Sequence, residues 1–197
     1  MNGQALAVEL RQAASARADG GDEHLVETMW AARQAGMADR EIVRCLAGTW
    51  SPEASLAVLE AAEWRAGVVR VLTEAGLVVG RMDSPAPSSG DVVDVRLSIV
   101  DVGRRELVAD LGFAPRAPSN RFRESETVQE FGARVMAAAK QQWVDAVRRR
   151  AMVMVPALRA AGCRIFECNA GGITELTEGP AIDYLTAKVL VKVLISH

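Results

Sequence analysis

The chain has 197 residues, 23 basic and 25 acidic side chains for a net charge of -2, 50% hydrophobic residues and three cysteines. This balance suits one large globular core or two small ones, and it excludes a collagen-like, disulfide-stapled or wholly disordered chain. The slight acidity also argues against a chain that binds nucleic acid over its whole surface.

The first half has helical periodicity. A helix is predicted over residues 3–18, with Leu6, Leu10, Ala13 and Ala14 on one face and Gly20-Gly21 as its stop. A second runs from Asp22, a natural N-cap, to Gln34, with Leu25, Met29 and Ala32 inward and Gly36 beyond its end. A third starts at Asp39, stops before Gly48 and buries Ile42, Val43 and Leu46. The fourth has the strongest start signal, with Ser51 as cap, Pro52 at the first helical position and Glu53 in the first turn. It runs to about Ala75, with Leu56, Leu59, Ala62, Ala66, Val69 and Leu72 on its expected buried face. Trp30, Trp50 and Trp64 supply the large apolar area that a small core needs.

Two prolines, three serines and a glycine between Met82 and Gly90 mark a linker or wing loop. The chain therefore divides into residues 1–82, the connection 83–90, and residues 91–197. Beyond the connection, Val93, Val95, Leu97 and Ile99 alternate with polar residues as a half-buried strand, and Glu106–Phe113 returns after a turn at Gly103. Ser125 is the expected cap of a long helix whose inward stripe is Val128, Phe131, Val135, Ala139, Trp143 and Val147. Glu130–Arg134 and Asp145–Arg149 are expected ion pairs on its wet side. Pro156 is expected to kink or restart this helix, and Gly162 to end it. A strand at Cys163–Cys168, a turn at Asn169–Gly172, a further strand at Ile173–Thr177 and a long last strand at Tyr184–Ile195 complete the pattern. The fold class is α+β: a helical, helix-turn-helix-like N-terminal unit, then an antiparallel or mixed sheet packed with one long helix. The clean alternation of the last strand suits pairing across a symmetry axis, so a homo-oligomer is expected.

Residues Asp39 to Leu56 form a short helix, a glycine-containing turn and a capped second helix. This resembles a helix-turn-helix, and Thr73–Arg81 resembles the helix-to-wing passage of winged-helix proteins. The resemblance implies DNA contact, with Arg40, Arg44, Arg65, Arg70 and Arg81 on phosphates and Ser55 at a base edge. The second helix nonetheless opens with Glu53 and Glu60 and has no basic residue before Arg65. The basic surplus lies elsewhere. Residues 1–82 hold eight arginines against eleven acids, whereas residues 104–159 hold eleven basic residues against six acids. There Arg116, Arg121, Phe122 and Arg123 are candidates to grip a phosphate or an acidic partner.

Catalytic signals are weak. His24 and His197 are the only histidines, and no nucleophile elbow, Walker loop or dinucleotide fingerprint occurs. Carboxylates cluster loosely near the strands, and Asp94 and Glu167 are a pair that could meet across a sheet and hold a magnesium ion, but no Glu-x-Lys or Asp-x-Lys occurs to complete a metal-dependent nuclease. Cys163 and Cys168 lack zinc-knuckle spacing. No metal or cofactor is expected, and enzymatic activity is disfavoured. Without an apolar run long enough to span a bilayer, and without a leader pattern at the start, the expected location is the cytoplasm. The functional expectation is a non-enzymatic DNA-binding protein of helix-turn-helix type, a transcription regulator that oligomerises through its C-terminal part. The alternative is a structural or adaptor protein of a larger assembly, such as a phage particle, that contacts other subunits.

Overall fold

The computed structural model describes residues 3–15, 22–81, 93–111, 125–169, 172–176 and 192–197. Among them are five helices: α1 (Gly3–Ser15), α2 (Asp22–Gln34), α3 (Asp39–Leu46), α4 (Pro52–Glu74) and α5 (Val128–Ala160). Six strands, β1 (Val79–Arg81), β2 (Val95–Asp101), β3 (Glu106–Asp110), β4 (Arg164–Asn169), β5 (Gly172–Glu175) and β6 (Lys192–Ser196), form one mixed sheet in the order β1-β2-β3-β6-β4-β5. The architecture is α+β. The expected connection 83–90 and the first part of the expected last strand lie outside the described residues.

The chain forms two compact units, one of Met1–Arg70, Ser98–Leu107 and Ser196–His197, the other of Val71–Leu97 and Val108–Ile195. In the first, Leu10, Leu25, Met29, Ile42, Leu46 and Leu59 are the largest members of a buried helical cluster. Ile99 and Val102, from β2 and the turn after it, pack on the same cluster beside Trp30 and Trp50. Burying each such leucine stabilises the unit by roughly 1.5–3 kcal/mol. The inward face of α4 differs by one residue from expectation: Leu56 is 45% exposed, and Ser55 is fully buried. The Ser55 hydroxyl donates to the Ser51 carbonyl at 3.0 Å, which removes the penalty for placing it there. That rotation still puts Val58, Leu59, Ala61 and Ala62 against the core.

The second unit carries most of the sheet. β1, which resembled the passage to a wing, pairs in parallel with β2, Val79 opposite Val95 and Arg81 opposite Leu97. A Cβ at Gly80 would stand 2.8 Å from a Val93 methyl, so a larger residue there would make Val93 shift. β4 and β5 form an antiparallel hairpin with Phe166 opposite Glu175 and Asn169 opposite Gly172. β6 lies between β3 and β4, which corrects the expectation that the last strand pairs across a symmetry axis. Both its backbone edges are already used, and among the described strands β1 and β5 are outermost.

The long helix α5 departs from its predicted pattern at several points. Its cap is Thr127, not Ser125. Thr127 and Glu130 form a capping box: the Thr127 hydroxyl accepts from the Glu130 N–H at 3.2 Å, and Glu130 accepts from the Thr127 N–H at 2.9 Å. Glu130 is thus taken by the cap, and Arg134 pairs with Glu126 through two bonds of 2.6 and 2.8 Å. Asp145 accepts from Gln141 at 3.0 Å rather than pairing with Arg149. Val128 is 79% exposed, and full burial begins only at Ala146 and Val147. The helix continues through Pro156 without a break. Pro156 and Met152 are exposed, so water can meet the carbonyl that loses its partner. Gly162, at φ +84, closes the helix as expected, with its N–H on the Arg159 carbonyl and the Cys163 N–H on that of Leu158.

Of the run Arg148-Arg149-Arg150, the last residue turns inward and is buried. Its Nε donates to Asp94 Oδ1 at 3.3 Å, and its Nη1 donates to the Leu111 carbonyl at 2.9 Å. The other oxygen of Asp94 accepts the Val78 N–H at 3.0 Å. One guanidinium thereby joins α5 to the start of β2, the end of β3 and the residue before β1. Arg150→Ala is expected to lower the unfolding free energy by about 3–5 kcal/mol, because it strands a carboxylate, whereas Arg149→Ala changes it by less than about 0.5 kcal/mol. Urea denaturation of the two variants measures the contrast.

The capping box also has a pH signature. The Thr127 N–H, followed by its hydroxyl, holds the Glu130 carboxyl below its ordinary value of 4.5. A lowered folded-state value stabilises the fold above that ordinary value, and the gain disappears as pH falls through the folded-state value. Thr127→Ala is expected to cost about 1 kcal/mol at neutral pH while leaving part of the acid-dependent step, since the backbone N–H remains, whereas Glu130→Gln removes that step; both are read from urea midpoints between pH 7 and 3.

Candidate interaction surfaces

The expected DNA-contacting residues divide into three groups. Arg40 and Arg44 lie four residues apart on α3 and are both exposed, while Ile42 and Leu46 hold the opposite face to the core. Arg70 is also exposed. Arg65 is largely buried and pairs with Glu27 at 3.2 Å, and the buried Ser55 has no surface to offer a base edge. Arg81 lies in β1. Arg116, Arg121, Phe122 and Arg123 lie outside the described residues.

The helix-turn-helix-like segment is built by local chemistry. Leu46 ends α3, and its carbonyl accepts from both the Thr49 and Trp50 N–H groups at 3.0 Å. Gly48, at φ +94, allows this tight reversal. Ser51 then caps α4 by accepting the Ala54 N–H at 3.1 Å. The Glu53 carboxyl lies below its ordinary range because its own backbone N–H and the Ser51 hydroxyl bond it. The outward face of these first turns presents Glu53, Leu56 and Glu60. It combines acid with an exposed aliphatic side chain, which suits a protein partner better than phosphate.

Other arginines are engaged inside the first unit. Arg33, in the last turn of α2, bonds Asp39 of α3 at 3.1 Å and Glu63 of α4 at 2.9 Å, and lies 5.9 Å from the Trp30 ring centre. Arg105, in the turn between β2 and β3, adopts φ +54 and pairs with Glu60 at 2.6 Å. The preceding Arg104 is mostly exposed, and its N–H bonds Asp101 Oδ1 at 2.9 Å. Sequence reading missed both turn arginines as surface features, although the Asp101-x-x-Arg104 spacing after a strand is a legible turn signal.

A groove of about 320 Å³ lies between α2 and α4, within the first unit. Val26, Trp30, Ala62, Ala66 and Val69 form its apolar walls, and the Glu27–Arg65 pair also lines it. No periodicity in the sequence announces this groove, since it arises where small residues of two helices face each other.

The second unit presents exposed apolar side chains at Val128, Met136, Met152 and Val153 of α5 and at Ile173 of β5. Beside Ile173, Glu175 is held by two bonds from Arg164, of 3.0 and 2.7 Å, and its carboxyl lies below the ordinary range for that reason.

Among the described residues the chemistry-bearing groups are dispersed. His24 and His197 are exposed, and burial pushes the Cys163 thiol upward, which disfavours the reactive thiolate. Asp94 is engaged by Arg150 and the Val78 N–H. Among the described residues no three His, Cys, Asp or Glu side chains gather as a metal site, and no helix is long and apolar enough to cross a membrane. Compared with family models, curated proteins and solved structures, the chain matches none of them.

Proposed function

We propose that the protein is a non-enzymatic interaction protein, a structural or adaptor component that contacts other proteins within a larger assembly. One observation carries this reading. The turns of α4 that would enter a DNA groove display Glu53 and Leu56 and no basic residue, with Ser55 buried behind them and Glu60 paired with Arg105. Exposed apolar side chains at Val128, Met136 and Ile173 support contacts from the other unit as well. Self-association belongs to the same reading, through the exposed Ile173 of β5, which among the described strands lies at one edge of the sheet. Two free thiols, Cys45 and Cys163, support a reducing cytoplasmic setting.

A second reading is a DNA-binding protein of helix-turn-helix type acting as a transcription regulator. The exposed pair Arg40 and Arg44 on α3 favours it. One experiment separates the two: solution mass by light scattering over a concentration series, with and without random duplex DNA at low salt. The assembly reading expects a discrete multimer that Ile173→Glu dissociates, and no DNA co-migration. A monomer that retards duplex DNA, loses it steeply as salt rises, and loses it on Arg40→Ala with Arg44→Ala would overturn that reading in favour of the second.

A further inference from the structure

We propose that the first half of α5 pairs, antiparallel, with the same segment of a second copy of the chain. The inference rests on the assembly reading above and names one of its contacts. From Val128 to Asp145, about 27 Å of helix at the usual rise, no residue is fully buried. Met136, in the middle of this stretch, is 71% exposed. Helices in proteins draw most of their stability from a packed face, so a run of this length without one has contact surface to spare.

The outward stripe is Gln129, Glu130, Ala133, Ala137, Lys140 and Gln141, all exposed and at helical spacing. About the level of Val135 its order is symmetric in size and opposite in charge. Glutamines stand six residues to either side, alanines two, and Glu130 and Lys140 five. A two-fold axis at that level sets Glu130 beside Lys140 of the partner subunit, and does so twice, because an isologous contact repeats each pair. A parallel pairing sets glutamate on glutamate and lysine on lysine. The charges therefore select the antiparallel arrangement, which also opposes the two helix dipoles. Both charged groups can serve it. Among the described residues no ion pair engages Lys140. Glu130 uses only Oε2 for the capping box, which leaves Oε1 outside it. The alanines let the backbones approach to the short end of the usual interaxial range of about 8–10 Å.

Light scattering over a concentration series tests the contact. The multimer then holds two kinds of contact, and Ile173→Glu dissociates it to an α5-linked dimer rather than to monomers. In that background Lys140→Glu brings like charges together, and Ala137→Glu forces a carboxylate against an alanine. Each is expected to weaken the dimer about tenfold or more. Both put a good helix former at an exposed position, so circular dichroism is expected to stay unchanged. Rising salt is expected to weaken the dimer too. Mixing Lys140→Glu chains with Glu130→Lys chains is expected to restore a dimer that neither forms alone. A dimer indifferent to Lys140→Glu and Ala137→Glu, or a mixture of two helical chains that stays monomeric, overturns the proposal. A wild-type multimer that Ile173→Glu takes directly to monomers overturns it as well and leaves the assembly reading standing. A wild-type monomer at every concentration overturns both.

Discussion

Arg150 brings a full charge to a place that water scarcely reaches, and the sheet-and-helix unit is arranged to meet it. Asp94 supplies the counter-charge at 3.3 Å, and Leu111 supplies a carbonyl at 2.9 Å. Asp94 is itself oriented by the Val78 N–H, while Val78 returns its own carbonyl to the N–H groups of Asp94 and Val95. A buried ion pair of this kind contributes little net stability compared with a well-packed apolar alternative, but losing one partner is costly. Its value here lies in register. The three contacts fix where β1 starts, where β2 starts and where β3 ends relative to one turn of α5. The apolar residues of that turn, Val147, Ala151 and Met154, are then buried around it.

The helical unit uses charge differently. Arg33, Arg65 and Arg105 each tie one element to another across the outside of an apolar cluster. None of these pairs is fully buried, and each contributes modestly on its own. Together they account for several arginines in a chain with only three lysines. A planar guanidinium suits such bridging because it can meet two acceptors at once, as Arg33 does with Asp39 and Glu63. Several of the described arginines are therefore structural.

What the sequence made legible follows from how local the determining chemistry is. The starts and stops at Ser51-Pro52, Gly36, Gly76 and Gly162 depend on a few adjacent residues, and they fall where the residue types put them. The inward face of α4 depends on packing against other helices, and Leu56 and Ser55 exchange roles although both fit a helix. Arg150 looked like one of three solvated arginines because its partner Asp94 lies 56 residues earlier. β1 has three residues, too few to show alternation, and exists because β2 pairs with it. The α+β class was readable from the change of periodicity, whereas the sheet order was not. Of the candidate site, the exposure of Arg40 and Arg44 followed from their spacing. The groove, and the engagement of Arg65 with Glu27, depend on two helices being brought together.

The place of β6 bears on how the molecule is made. It is the last strand along the chain, yet it separates β3 from β4, whose partners along the sheet are otherwise close in sequence. Until β6 enters, the sheet exists as two fragments, β1-β2-β3 and β4-β5, each with an open edge. Closing them joins residues 106–110 to residues 192–196, a long-range contact that is entropically slow to form. A sheet whose central pairing joins the segments most distant in sequence belongs to the high-contact-order class, in which the last pairing to form closes the longest loop.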